Sequence, residues 1–195
     1  MTIEKLKINE NDVFRLFEVK KRKQSIAKYA LNNKIVPFPG FNSTSFNDKI
    51  WTVKKSEKYG NSYTLYLHSL RVTVELMLAY EATKEIEYFN KAEEIINSWI
   101  KHSQTDDDNP MIWYDHTTAN RTQALIHYLY LADEPNRDID EEKWISLLKK
   151  HSEIMSNDEI YKFSHLGYRM VPKDCMGKVL DLENYKELIY NENLS

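Results

Sequence analysis

The amino-acid sequence predicts an all-α protein of antiparallel helical hairpins, because its long segments place apolar residues at helical spacing and loop-forming residues separate those segments. Glycine supports the same class. Only four occur in 195 residues, too few for the turns and bulges of a many-stranded sheet. The length suits one ordinary domain with a sizeable core.

Asn11 or Asp12 is placed to cap a first helix running to about Leu31, with Val13, Leu16, Phe17, Ile26, Tyr29 and Ala30 on its apolar side. Between these groups, Lys20, Lys21, Arg22 and Lys23 point around a helix rather than along one face, so they read as a solvated stretch. Pro37 and Pro39 end any helix and leave residues 36–41 extended and irregular. Trp51, Thr52 and Val53 read as a short extended or loop segment before a turn at Tyr59, Gly60 and Asn61.

From Tyr63 to about Thr83 the spacing predicts one helix. Leu65, Val72, Leu76 and Ala79 form one apolar line, and Leu67, Leu70, Val74, Met77 and Leu78 fill the next. So wide an arc belongs to an inner helix. Lys84 to Ile100 reads as its half-exposed antiparallel partner, with Ile86, Phe89, Ala92, Ile95, Ile96, Trp99 and Ile100 at helical spacing. The next helix is expected over Thr117 to Ala132. Asp138 or Asp140 is placed to cap the one after it, where Trp144, Leu147, Leu148 and Ile154 supply the apolar stripe. A short amphipathic helix is expected from Leu180 to Tyr190.

Composition excludes several function classes. The 27 basic and 30 acidic residues give a formal charge of -3 and are mixed along the chain, so no single-sign field draws nucleic acid. The first ten residues lack an apolar core of signal-peptide length, and no run reaches the roughly 18 apolar residues of a spanning helix. The expectation is a soluble chain without export signal or membrane partner. The single cysteine, Cys175, excludes an intramolecular disulfide framework and reads as an inert thiol.

Asp106, Asp107 and Asp108 lack the alternation, central glycine and terminal glutamate of a calcium loop, and no histidine or cysteine pair has zinc spacing. No metal or cofactor is expected. A glycine-rich phosphate loop and a nucleophile elbow are also absent from the sequence. His102 and His151 fall near helix C-termini, which suggests capping or solvated roles, and His68 and His127 read as satisfied, partly buried histidines within apolar helices.

The densest chemistry lies in Trp113-Tyr114-Asp115-His116-Thr117-Thr118-Ala119-Asn120-Arg121. Thr117 or Thr118 is placed to accept from an early backbone N–H, and the remaining open donors of a first helical turn favour an anion. Arg121 shares a helical face with the threonines and His116 sits just outside the turn, so both can converge on one negative group. Trp113 and Tyr114 add flat walls for a sugar ring. A plainer alternative has Asp115 capping the helix or pairing with Arg121, His116 satisfied, and the aromatics anchoring the loop.

This stretch, with the helices around it, resembles the N-terminal helical domain of the heparinase II/III family, polysaccharide lyases that often carry Trp-Tyr-Asp-His-Thr-Thr-Ala-x-Arg here. The resemblance covers roughly residues 46–161 and implies part of an incomplete (α/α) toroid acting on acidic, uronate-containing polysaccharides. It divides the chain into an N-terminal helix and Pro-rich connection (1–45), the toroid segment (46–161) and a divergent tail (162–195).

It further implies Tyr114 and His116 as catalytic candidates, Trp113, Asn120 and Arg121 as substrate-binding residues, and Asp115, Thr117 and Thr118 as structural ones. Uronate lyases remove the proton alpha to a carboxylate and expel the 4-linked sugar, which requires a donor at the carboxylate and a base near the ring carbon. The Asn-His-Gly element that family members place after this region is not found; Ser164-His165-Leu166-Gly167 lacks the asparagine and the adjacent glycine. The expectation is therefore a toroid fragment that lacks the downstream catalytic elements and whose exposed inner faces favour self-association. The alternative is a non-catalytic helical module that binds a glycan or a protein. A glycoside hydrolase ranks below both, because no second carboxylate can be placed opposite Asp115.

Overall fold

A computed structural model describes residues 8–13, 24–155 and 157, and it is mostly helical. Six helices follow in order: α1 Ser25–Leu31, α2 Asn61–His68, α3 Arg71–Thr83, α4 Ile86–His102, α5 Asp115–Ala132 and α6 Glu141–Met155. Among the described residues no helix is long and apolar enough to cross a membrane. The basic run at residues 20–23, Cys175, His165 and the helix expected at 180–190 lie outside the described residues.

The N-terminal expectation is corrected at Val13. Asn9 rather than Asn11 or Asp12 caps a 3-10 turn at Glu10–Asp12, and the Asp12 carboxylate accepts from the Asn9 backbone N–H at 2.9 Å. Val13 then turns extended, so no helix continues directly from this turn. Residues 34–45 hold a second surprise: β1 Lys34–Ile35 pairs antiparallel with β2 Thr44–Ser45, Lys34 opposite Ser45 and Ile35 opposite Thr44. Two-residue strands are too short to show an alternating pattern in sequence. Trp51 lies in a 3-10 turn, Asp48–Thr52, and is buried; its indole N–H donates to Ser98 Oγ of α4 at 2.9 Å.

The helix expected from Tyr63 to Thr83 is broken in two. Leu70 adopts the left-handed conformation with φ 55°, which costs a residue with a Cβ on the order of 1 kcal/mol. The break is stabilised locally. Ser69 Oγ donates back to the Leu65 carbonyl at 2.7 Å, and the Leu70 carbonyl accepts from both the N–H and the hydroxyl of Thr73 at 3.0 and 2.7 Å. Leu70 itself is fully buried, and burying a leucine contributes about 2 kcal/mol, enough to offset the strain.

α3 and α5 are the inner helices. Residues 72–80 of α3 are all buried, as are residues 121–129 of α5. α3 packs against α1, α2, α4 and α5, and α5 against α2, α3, α4 and α6. α4 and α6 are one-sided. α4 buries Phe89, Ala92, Ile95, Ile96, Trp99 and Ile100 while leaving Glu87, Asn90 and Asn97 exposed; α6 buries Trp144, Leu148 and Met155. Asp140 caps α6, its Oδ1 accepting from the Lys143 N–H at 3.1 Å.

Candidate functional site

α5 begins where Tyr114 leaves the helical conformation, with ψ 146°, and its carbonyl accepts from the Thr118 N–H at 2.8 Å. The side chain that binds the open turn is that of Asp115, whose Oδ1 accepts from the His116 N–H at 2.6 Å. This corrects the expectation for the threonines. Thr117 and Thr118 are fully buried, and neither hydroxyl hydrogen-bonds a described residue. Asp115 is buried.

The two candidate catalytic side chains lie outward of these. Tyr114 is 41% exposed and His116 is half-buried, with their rings edge to face at 5.7 Å. Asn120, one helical turn beyond His116 and on the same face, borders a narrow gap with Tyr66, Ser69 and Arg71 that is too small to admit a water molecule. The Arg71 guanidinium sits 4.6 Å from the ring of Phe38 and 5.8 Å from that of Tyr66.

Arg121 is elsewhere, and its placement corrects the expectation of a guanidinium held out to a ligand. It is fully enclosed, 0% exposed. Its Nε donates to His151 Nε2 at 2.9 Å, and one terminal nitrogen donates to the His68 carbonyl, the open C-terminal end of α2, at 2.9 Å. A cation at a helix C-terminus is favourable there. The guanidinium lies 4.0 Å from the Trp99 ring and 4.9 Å from that of Trp113. His116 and Arg121 therefore do not converge on one solvent-borne anion.

The histidines around Arg121 are neutral. His151, expected near a helix end in a capping or solvated role, is fully buried; desolvation, and then the Arg121 charge, push it well below the ordinary imidazole range. Because Nε2 accepts from Arg121, the ring proton sits on Nδ1 and donates to the Leu147 carbonyl at 2.8 Å. His68 is also buried and pushed down to about 3, first by desolvation and then by Arg121 and His102. Its Nδ1 accepts from the Trp99 indole N–H at 3.3 Å. His127 is buried with Nε2 3.1 Å from a Glu81 carboxylate oxygen, but its Nδ1 has no hydrogen-bond partner among the described residues, so the expected satisfied histidine is only half satisfied.

Trp113 is half-buried and packs edge to face on Trp99 and His151. The Lys150 ammonium lies 4.1 Å from its ring, so a sugar reaching that indole meets a cation. Nor are the loop aspartates a free acidic cluster. Asp107 stands 3.1 Å from His102 Nε2 and accepts from the Asn109 N–H, and Asp108 pairs with Lys54. Among the described residues no group of histidine, cysteine and carboxylate side chains is placed to hold a metal ion.

Sequence reasoning missed three residues: His151 and His68 as partners of Arg121, and Arg71 as a cation beside Asn120. Helical periodicity marks which face is buried but not which polar groups meet across helices. No protein-family model, no curated protein and no solved structure matches this chain.

Proposed function

We propose that this chain is the helical part of a protein resembling the heparinase II/III lyases, and that its paired helices form a segment of an incomplete (α/α) toroid contacting an acidic, uronate-containing glycan. The observation that carries this reading is the grouping of Arg71 with Asn120, on the helical face that also bears His116. Arg71 supplies a cation for a uronate carboxylate, Tyr66 and Phe38 supply rings beside it, and His116 with Tyr114 lies one turn away. These are the functional types β-elimination requires: a charge-neutralising donor at the carboxylate and a base near the ring carbon. Arg71 takes the role that the motif alone suggested for Arg121.

The reaction removes the proton alpha to the carboxylate, forms the 4,5 double bond and expels the 4-linked sugar oxygen. In this reading Arg71 and Asn120 hold the glycan, His116 accepts the proton alpha to the carboxylate, and Tyr114 beside it donates a proton to the departing 4-oxygen and regains one from water. The test is calorimetric titration with uronate oligosaccharides from alginate, hyaluronan and heparosan, alongside absorbance in the ultraviolet band of a conjugated uronate. Binding is expected to weaken at least tenfold in Arg71→Gln and in Asn120→Ala. An absorbance rise lost in His116→Ala makes the chain a lyase by itself; binding without product makes it a glycan-binding module. No binding across the panel rejects the reading.

A further inference from the structure

The chain around Tyr59 encloses a cleft of about 340 Å³, at the small end of ligand sites and suited to a single small molecule. Its lining comes from Asn42 and Thr44 at β2, from residues between Val53 and Tyr59, and from Tyr63 of α2. The walls are fixed in place. Ser56 and Gly60 exchange two backbone hydrogen bonds, at 3.2 and 2.8 Å, and close a tight turn in which Gly60 takes φ 58°, a conformation that favours glycine. The Tyr59 ring stacks on Phe41 at 4.0 Å, and its hydroxyl donates to Asn42 Oδ1 and accepts from the Asn42 N–H, both at 3.0 Å. The Tyr63 hydroxyl pairs with Thr44 Oγ1 at 2.6 Å. Both phenols are thus already hydrogen-bonded, and the two rings with Val53 offer a ligand chiefly apolar surface.

Glu57 and Lys58 differ from these walls. Both line the cleft and are exposed, and neither forms a hydrogen bond or an ion pair among the described residues. The Lys58 ammonium lies 5.0 Å from the centre of the Tyr59 ring, beside the apolar wall. An open carboxylate and an open ammonium, adjacent to each other and to an apolar surface, complement a molecule that carries both charges and an apolar group.

We propose that this cleft binds a free α-amino acid with a large apolar side chain, its ammonium on Glu57, its carboxylate on Lys58 and its side chain against Tyr59, Tyr63 and Val53. A lone anion is repelled by Glu57 and a lone cation by Lys58, so the pair selects a zwitterion. A peptide fits less well. Each added residue parts its charged ends by up to about 3.6 Å, while the two side chains that receive them are sequence neighbours. The site shares no lining residue with the grouping of Arg71 and Asn120 and does not rest on the uronate reading. Because Glu57 and Lys58 are exposed, replacing them leaves the core intact.

The experiment is calorimetric titration of the protein at low ionic strength with L-leucine, L-phenylalanine, L-tryptophan and glycine, and then with the N-acetyl and carboxamide forms of the tightest binder. Near-ultraviolet circular dichroism checks the fold of each variant. At least one of the three apolar amino acids is expected to bind saturably, and glycine not measurably. Acetylation, which removes the ammonium charge, and amidation, which removes the carboxylate, are each expected to raise the Kd about fivefold or more. Glu57→Gln and Lys58→Gln are expected to do the same to the unmodified amino acid, while Lys150→Gln leaves its Kd unchanged. Failure of all three amino acids to bind, glycine or either blocked form binding as tightly, or an unchanged Kd in both folded variants each overturns the proposal.

Discussion

Arg121 is fully buried at the centre of one cross-helix polar cluster. It joins three segments distant in sequence, donating to a side chain of α6 and a main-chain carbonyl of α2 while lying against Trp99 of α4. Removing a charged donor from buried acceptors leaves each desolvated without a partner, at about 1 to 3 kcal/mol apiece. Arg121→Met is accordingly expected to lower the unfolding free energy by roughly 3 kcal/mol or more in urea denaturation. Arg121→Lys is expected to recover less than half of that loss, because an ammonium keeps the charge but cannot reach both acceptors with a planar fork. Equal stability of the methionine variant and the parent would remove Arg121 from this role.

At the scale of elements, the helices are bounded by local chemistry in some places and by tertiary demand in others. α6 starts at its aspartate cap, and Asp140→Ala is expected to cost about 1 kcal/mol, read as a lower urea midpoint with an unchanged slope. The boundary between α2 and α3 has a different origin. Nothing in the run of leucines and valines announces it, and the left-handed Leu70 is unfavourable by itself. Ending α2 at His68 opens the carbonyl that Arg121 takes and lets the Leu70 side chain enter the core. The same break brings Ser69 and Arg71 beside Asn120.

At the scale of the whole molecule, α3 and α5 form a buried pair clothed by one-sided helices, and two of the histidines near its centre are held neutral by burial and by Arg121. Their ordinary value is 6.5, whereas His68 in the folded chain lies near 3 and His151 is also depressed. Below pH 6.5 the unfolded chain takes up protons that the folded chain refuses. The stability is therefore fully present above about pH 6.5 and is lost as pH falls toward 3, by up to about 1.4 kcal/mol per pH unit for each histidine. Urea midpoints between pH 7 and pH 4 are expected to fall along this slope. A folded His68→Gln variant is expected to show a shallower fall, and an identical fall would place the acid sensitivity elsewhere.

The sequence by itself determined the helical class, the wide apolar arc of α3, the one-sided pattern of α4, the start of α5 within the Trp113 to Arg121 stretch, and a cap for α6 at Asp138 or Asp140, of which the structure uses Asp140. These follow from periodicity and capping, which act within a few residues. Local rules also singled out the chemically dense motif, but they assigned its cation to the wrong environment. Whether Arg121 faced solvent or the core depended on His151 and His68, 30 and 53 residues away. Only the tertiary structure decided that, along with the break at Leu70, the small β1–β2 pairing, and the meeting of Arg71 with Asn120. The physical reason is that a buried polar group must find its partners wherever the packing of distant helices puts them.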